Sequence, residues 1–95
     1  MYVVVRRYTN APQLFDALQE GQAELERLLR SVSSFVSYYL VRVGDGGFSV
    51  TVCENRIGVE ETNLLAADWI TEHAPAMHGN TPEVIEGETV IHVGT

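Results

Sequence analysis

A hairpin in the middle of the chain constrains the rest. Phe35 to Val43 is a run of β-branched and aromatic residues, Gly44-Asp45-Gly46-Gly47 follows, and Phe48 to Glu54 returns as a second run. Asp-Gly between two such runs favours a tight turn, because these residues accept the positive φ that hairpin turns require. In the returning strand Phe48, Val50 and Val52 take one face, and Ser49, Thr51 and Cys53 take the other.

The flanks then read as helices and outer strands. Tyr2 to Tyr8 opens with Tyr-Val-Val-Val and predicts a strand. Asn10 followed three residues later by Gln13 resembles a capping box, with Pro12 in the first turn. The pattern predicts one helix from there to Val32, striped by Leu14, Leu18, Leu25 and Leu28. Gly21 in its middle costs about 1 kcal/mol relative to alanine and marks a candidate close approach. After a turn at Asn55 to Gly58, Glu60 and Glu61 suit a helix N-terminus, and the second helix runs to about His73. Pro75 stops it, Ala76 to Pro82 read as a loop, and Glu83 to Val93 reads as a last strand broken near Gly87. Strand, helix, hairpin, helix, strand is the split β-α-β pattern. The expected fold is a single α+β domain over 1–95: a ferredoxin-like β-α-β-β-α-β chain, with a four-stranded antiparallel sheet and two helices on one face.

Two helices cover one face of such a sheet, so the other must be wet or covered by something else. Here the strands are apolar on both sides: Val3 and Val5 against Tyr2 and Val4, and Phe35, Tyr39 and Val41 against Val36, Tyr38 and Leu40. Val90 and Ile91 extend that pattern on the last strand. Packing two copies sheet to sheet hides the second face with one self-complementary patch, so a homodimer is expected. The alternative is a monomer whose tyrosines and threonines tolerate water.

Charge narrows the partners. Six arginines and no lysine stand against thirteen carboxylates, for a net charge of −7. Residues 1–53 balance five against five, so the excess lies in residues 54–95, where Arg56 faces eight acids. That distribution repels phosphate backbones and anionic lipid, so neither nucleic acid nor membrane is expected as a partner. No stretch approaches the ~18–20 apolar residues of a membrane span. Cys53 is the only cysteine, and the opening charges follow the apolar stretch, the reverse of a secretory signal. A cytoplasmic location is expected from both.

With YVVVRRY, the leucine-striped first helix, GDGGFSVTV, CENRIGVEE and Trp69 on the second helix, the chain resembles the dimeric α+β barrel superfamily. It is most similar there to the small antibiotic-biosynthesis-monooxygenase-like proteins, across nearly its whole length. The resemblance implies a ligand cavity between sheet and helices, often lined by a tryptophan, an asparagine and sometimes a histidine. It also implies activities ranging from cofactor-independent oxygenases on aromatic compounds to isomerases, haem degradation, or none. Asn10 lies near where haem-degrading members carry an asparagine. His73 comes earlier than their haem-ligating histidine, so no cofactor is expected.

The candidate site residues each have a plainer alternative. Trp69 and His73 share a helix face and could hold and protonate a flat ligand, or be a core anchor and a C-terminal cap. His92, on the last strand, is a general base if it faces inward and a solvated terminal residue if it does not. Tyr38 and Tyr39 point to opposite faces, so one of them looks toward a cavity or a partner. Arg6 and Arg42 interrupt apolar strands and could meet a carboxylate or an anionic ligand, although surface pairing is commoner. Cys53, Ser49 and Thr51 are placed on the inter-sheet face, with Cys53 an inert thiol. His73 and His78 lack a third ligand at usable spacing, so no metal is expected. The reading is then a metal-free oxygenase-like or isomerase-like enzyme acting on a small aromatic or apolar compound. A non-catalytic dimeric module for ligand binding or assembly is the alternative.

Overall fold

The structure is a computed structural model that describes residues 1–74 and 82–94. The loop expected at 76–82, apart from Pro82, and His78 lie outside the described residues. The elements are β1 (Tyr2–Tyr8), α1 (Pro12–Glu20), α2 (Gln22–Arg30), β2 (Phe35–Val43), β3 (Gly46–Cys53), α3 (Arg56–His73) and β4 (Glu83–Glu88). The strands form one sheet in the order β2-β3-β1-β4, with every neighbouring pair antiparallel. This is the ferredoxin-like α+β arrangement, with three helices rather than two.

The extra helix arises at Gly21. The leucine stripe predicted one continuous helix, and the hydrogen bonds do run on through the junction: Gly21 N–H donates to the Ala17 carbonyl and Leu25 N–H to that of Gly21. The backbone nonetheless leaves helical geometry there (φ −93°, ψ 19°). Trp69 of α3 is wedged against this point, and a Cβ on Gly21 would overlap its indole. The glycine therefore serves a close approach between α3 and the α1–α2 junction.

Three boundaries differ from expectation. Asn10 does not cap α1: it takes φ +52°, and the N-cap is Ala11, whose side chain offers no acceptor. The Ala11 N–H instead donates to the Asp45 carbonyl at 2.7 Å, which ties the helix start to the hairpin turn. The chain enters α3 earlier than expected, because the Asn55 side chain accepts from Gly58 N–H and caps the helix at Arg56. The last strand is shorter than expected and ends opposite the start of β1. Glu83 to Glu88 pair with Arg7 to Tyr2, Thr89 N–H donates to the Met1 carbonyl, and the ladder runs out. Val90, Ile91 and His92 therefore lie past β4 and are exposed.

Register fixes which residues face the helices. Val4 pairs with Thr51 and Thr51 with Tyr38, while Arg6 pairs with Ser49 and Ser49 with Leu40. Paired residues point the same way, and Val4, Ser49, Thr51 and Cys53 are all buried beneath the helices. The expectation that Ser49, Thr51 and Cys53 line an inter-sheet face is thus overturned. The face away from the helices carries Val3, Val5, Tyr39, Val41, Phe48, Val50, Val52 and Ile85. Tyr39 is 60% exposed there and Ile85 66%.

On the helix side the core has two parts. Leu14, Phe15, Leu18, Leu25, Leu29 and Trp69 form the larger, and Val4, Cys53 and Val59 a smaller one at the opposite end of the sheet. Thr62 is buried between them and satisfies itself by donating to the Val59 carbonyl at 2.8 Å.

Candidate ligand cavity

Beside the larger core cluster the helix side of the sheet is not filled. A cavity of about 270 Å³ lies between the sheet and α3. Its floor comes from Arg6 and Tyr8 of β1, Tyr38 of β2, and Ser49 and Thr51 of β3. Asn63, Ala66 and Ile70 of α3 roof it, and Leu14, Leu18 and Leu29 close one side. The cause is local and readable in β3. A strand that presents Ser49 and Thr51 toward the helices puts hydroxyl groups on the floor, and Ser49 is also smaller than the valine that would fill its place.

The electrostatics follow from burial. Desolvation pushes the Tyr38 hydroxyl up to about 12, helped by the neighbouring Tyr8 and opposed by Ser49 and by the Arg6 charge. Tyr8 is raised by burial as well, again against Arg6. Burial lowers Arg6, with Tyr8, Tyr38 and Glu86 acting in the other direction, but a guanidinium stays charged regardless. Both phenols are therefore neutral at physiological pH. The site offers one cation, a set of hydroxyls and the Asn63 amide on a largely apolar wall.

The expected site residues divide sharply. Tyr38 lines the cavity and Tyr39 lies on the opposite sheet face. Arg42 is committed elsewhere: its Nη1 donates to Asp16 Oδ1 and Gln19 Oε1, both at 2.8 Å, and its guanidinium sits 5.9 Å from the Phe15 ring centre. It ties β2 to α1. Asn10 is exposed in the turn before α1, and His92 is exposed beyond β4. Trp69 is 3% exposed and packs into the larger core cluster rather than lining the cavity. His73 stacks on it at 4.2 Å and 9°, with Nδ1 2.9 Å from the Trp69 carbonyl and Nε2 3.8 Å from Glu24. The pair joins α3 to α2.

The structure thus brings neither His73 nor His92 to the cavity. Among the described residues the lining offers no imidazole or thiol to ligate an iron, and burial disfavours the phenolate form of Tyr8 and Tyr38, so the lining does not suit a haem. No group of three metal-ligating side chains occurs among the described residues. Cys53 is fully buried near Thr62 and Ser34, and desolvation raises its thiol, which makes it a packing residue. The residues that sequence reasoning missed are Tyr8, Ser49, Thr51 and Asn63.

A larger groove of about 460 Å³ runs along the open edge of β2 beside α1 and α2, past Gln22, Glu26 and Arg30. Tyr38, Leu18 and Leu29 separate it from the cavity. Its polar groups are spread along a solvated helix face and do not converge.

No family model and no curated protein matches the sequence. Solved structures do. A protein of unknown function from Nitrosomonas europaea, NE2512, superposes with a TM-score of 0.74 at 14% identity, covering 99% of this chain and 93% of its own. An antibiotic biosynthesis monooxygenase gives 0.63 at 15% identity, with 96% and 100% covered. The monooxygenase ActVA-Orf6 of Streptomyces coelicolor, in complex with nanaomycin D, gives 0.61 at 16%, with 99% and 90% covered. The likeness is to antibiotic-biosynthesis-monooxygenase-like proteins. At these identities it is a likeness of fold. No described helix is long and apolar enough to cross a membrane.

Proposed function

We propose that this protein is a sheet-to-sheet homodimer that takes a small, largely apolar aromatic compound into the cavity beneath α3. There it acts as a metal-free oxygenase-like enzyme. The observation that carries this reading is the cavity itself: a ligand-sized space with converging Tyr8, Tyr38, Ser49 and Thr51 hydroxyls and the Arg6 charge. Its volume is near the lower end of the ~300–1,000 Å³ typical of ligand pockets, which suits one or two rings. A neighbour of the same fold is a monooxygenase with the ligand nanaomycin D bound.

The dimer reading rests on the open face. Val3, Val5, Val50 and Val52 stand on it beside the exposed Tyr39 and Ile85. A contiguous apolar patch across four strands is the kind of surface that folded chains cover. A twofold axis lets one patch serve both subunits.

A second reading is favoured by one specific observation. Among the described lining residues no group titrates near neutrality, since both tyrosines are raised and no histidine or carboxylate is present. That lining suits a binding module, or an enzyme whose substrate brings its own acidic proton. Dissolved oxygen and product mass, measured during incubation with hydroxylated naphthalenes, distinguish these. Oxygenation gives oxygen uptake and a product heavier by oxygen, whereas isomerisation gives a new product of unchanged mass. Binding with no turnover of any naphthol would sink the enzyme reading.

A further inference from the structure

Arg6 is the charged side chain among the described residues of the cavity lining, and none of the described residues pairs with its charge. Among the described residues it forms no ion pair and no side-chain hydrogen bond, in contrast to Arg30, Arg42 and Arg56, which all do. Glu86, two residues along β4 from the Val84 that pairs with Arg6, is the carboxylate that acts on it electrostatically. But Glu86 is already engaged: it accepts from the Tyr2 hydroxyl at 2.9 Å and lies 3.7 Å from Arg56. No carboxylate lines the cavity among the described residues. Arg6 is flanked on its own strand by Tyr8 and across the ladder by Ser49, with Tyr38 one row further on, and all three carry hydroxyl donors.

A half-buried guanidinium beside neutral phenols is an incomplete arrangement. Removing a cation from water is costly unless an anion or several acceptors replace the hydration shell. Tyr8 and Tyr38 can orient their hydroxyls either way, but as donors they add to the same positive field. The opposite wall is mainly apolar, with Leu14, Leu18, Ala66 and Ile70, and its polar groups, Thr62, Asn63 and Thr71, are all uncharged. The complementary molecule is therefore planar and mostly apolar, with one anionic oxygen group at the end that meets β1.

We infer that Arg6 is the specificity residue of the cavity, and that it selects aromatic anions, an aryl carboxylate or aryl oxide, over neutral compounds of the same shape. The inference rests on the cavity being a ligand site, as proposed above. The guanidinium fork pairs in a bidentate manner with a carboxylate, and with an aryl oxide through one N–H while a tyrosine hydroxyl supplies a second donor.

The test is a set of two-dimensional amide NMR titrations, which report affinity and location together. The probes are 1-naphthoate, its neutral counterpart 1-naphthalenemethanol, and 4-nitrophenol, whose phenolate band is also followed by absorbance. In the unmodified protein 1-naphthoate is expected to bind about tenfold or more tighter than 1-naphthalenemethanol, with shifts centred on Arg6, Tyr8, Tyr38 and Ser49. Bound 4-nitrophenol is expected to show its phenolate band at a pH where the free dye is protonated. In Arg6→Met the two naphthalenes bind within about twofold of each other, while Arg6→Lys retains part of the preference because it keeps the charge but loses the fork. If both naphthalenes bind the unmodified protein equally in the cavity, the cavity reading stands and the role given to Arg6 is overturned. If the preference survives in a folded Arg6→Met, that role is overturned again. If neither naphthalene binds, or the shifts map elsewhere, the ligand-site reading falls, and this inference with it.

Discussion

The two faces of the sheet are made from the same four strands and differ in what they leave undone. The helix side is buried but incompletely filled, and Ser49, Thr51, Tyr38 and Arg6 give the floor of the unfilled space its polar groups. The other side is apolar but exposed, with Val50, Val52 and Phe48 beside Tyr39 and Ile85. Burial and apolarity are thus partly exchanged between the faces. Polar side chains under helices cost stability unless they hold something. An apolar face in water does the same unless something covers it. The two features are what the proposed guest in the cavity and the proposed second copy on the open face would each complete.

That contrast can be broken from either side. The largest effect is expected at the helix-side core: Trp69→Ala should cost about 3–5 kcal/mol, read as a shifted denaturant midpoint. Trp69→Phe should cost clearly less, because the buried indole Nε1 has no partner and its loss removes a desolvated donor. On the open face, Val50→Glu should weaken self-association by about a hundredfold or more, seen by sedimentation at micromolar concentration, because it places a charge in the apolar interface. A chain that sediments as a monomer before the substitution would end the dimer reading.

The cavity wall gives a pH signature of intermediate size. Tyr38 holds its proton more tightly when folded, with its pKa pushed from the ordinary 10 up to about 12. The folded state therefore binds more protons than the unfolded state over that window, and stability falls as pH rises through it. The stabilisation present below pH 10 and lost by about pH 12 amounts to roughly 2–3 kcal/mol for a two-unit shift. Alkaline denaturation of Tyr38→Phe should lack this loss. The smallest effect is at the helix junction. Gly21→Ala gains helix propensity, but its Cβ meets the Trp69 ring, so a net loss of about 1–2 kcal/mol in midpoint stability is expected.

The sequence made the order of elements legible because each rests on a local signal: the Asp45-Gly46 turn, the leucine stripe, the β-branched first strand. The alternation of β3 was equally clear, yet which half faced the helices was misjudged. Period-two alternation separates two faces without saying which one is buried. Here the apolar half, Phe48, Val50 and Val52, faces away from the helices, against the usual expectation. Gly21 was visible as a close approach, but its partner sits 48 positions further on in α3 and no local pattern points to it. Val90 to Val93 looked like strand because their residue types favour strands, but a strand needs a neighbour, and β1 stops pairing at Tyr2. Of the two arginines that interrupt apolar strands, only register and contact distinguish the surface tie of Arg42 from the cavity position of Arg6.

The lone tryptophan, fixed against Gly21 and stacked on His73, has a practical consequence for anyone working with the protein. Its emission monitors whether α3 is docked onto α1 and α2, since that contact holds the indole away from water. A guest in the cavity touches other side chains. For a guest that does not absorb in the range of indole emission, intrinsic fluorescence is therefore a gauge of folding that binding should leave nearly unmoved, so unfolding and occupancy can be followed as separate signals in one sample.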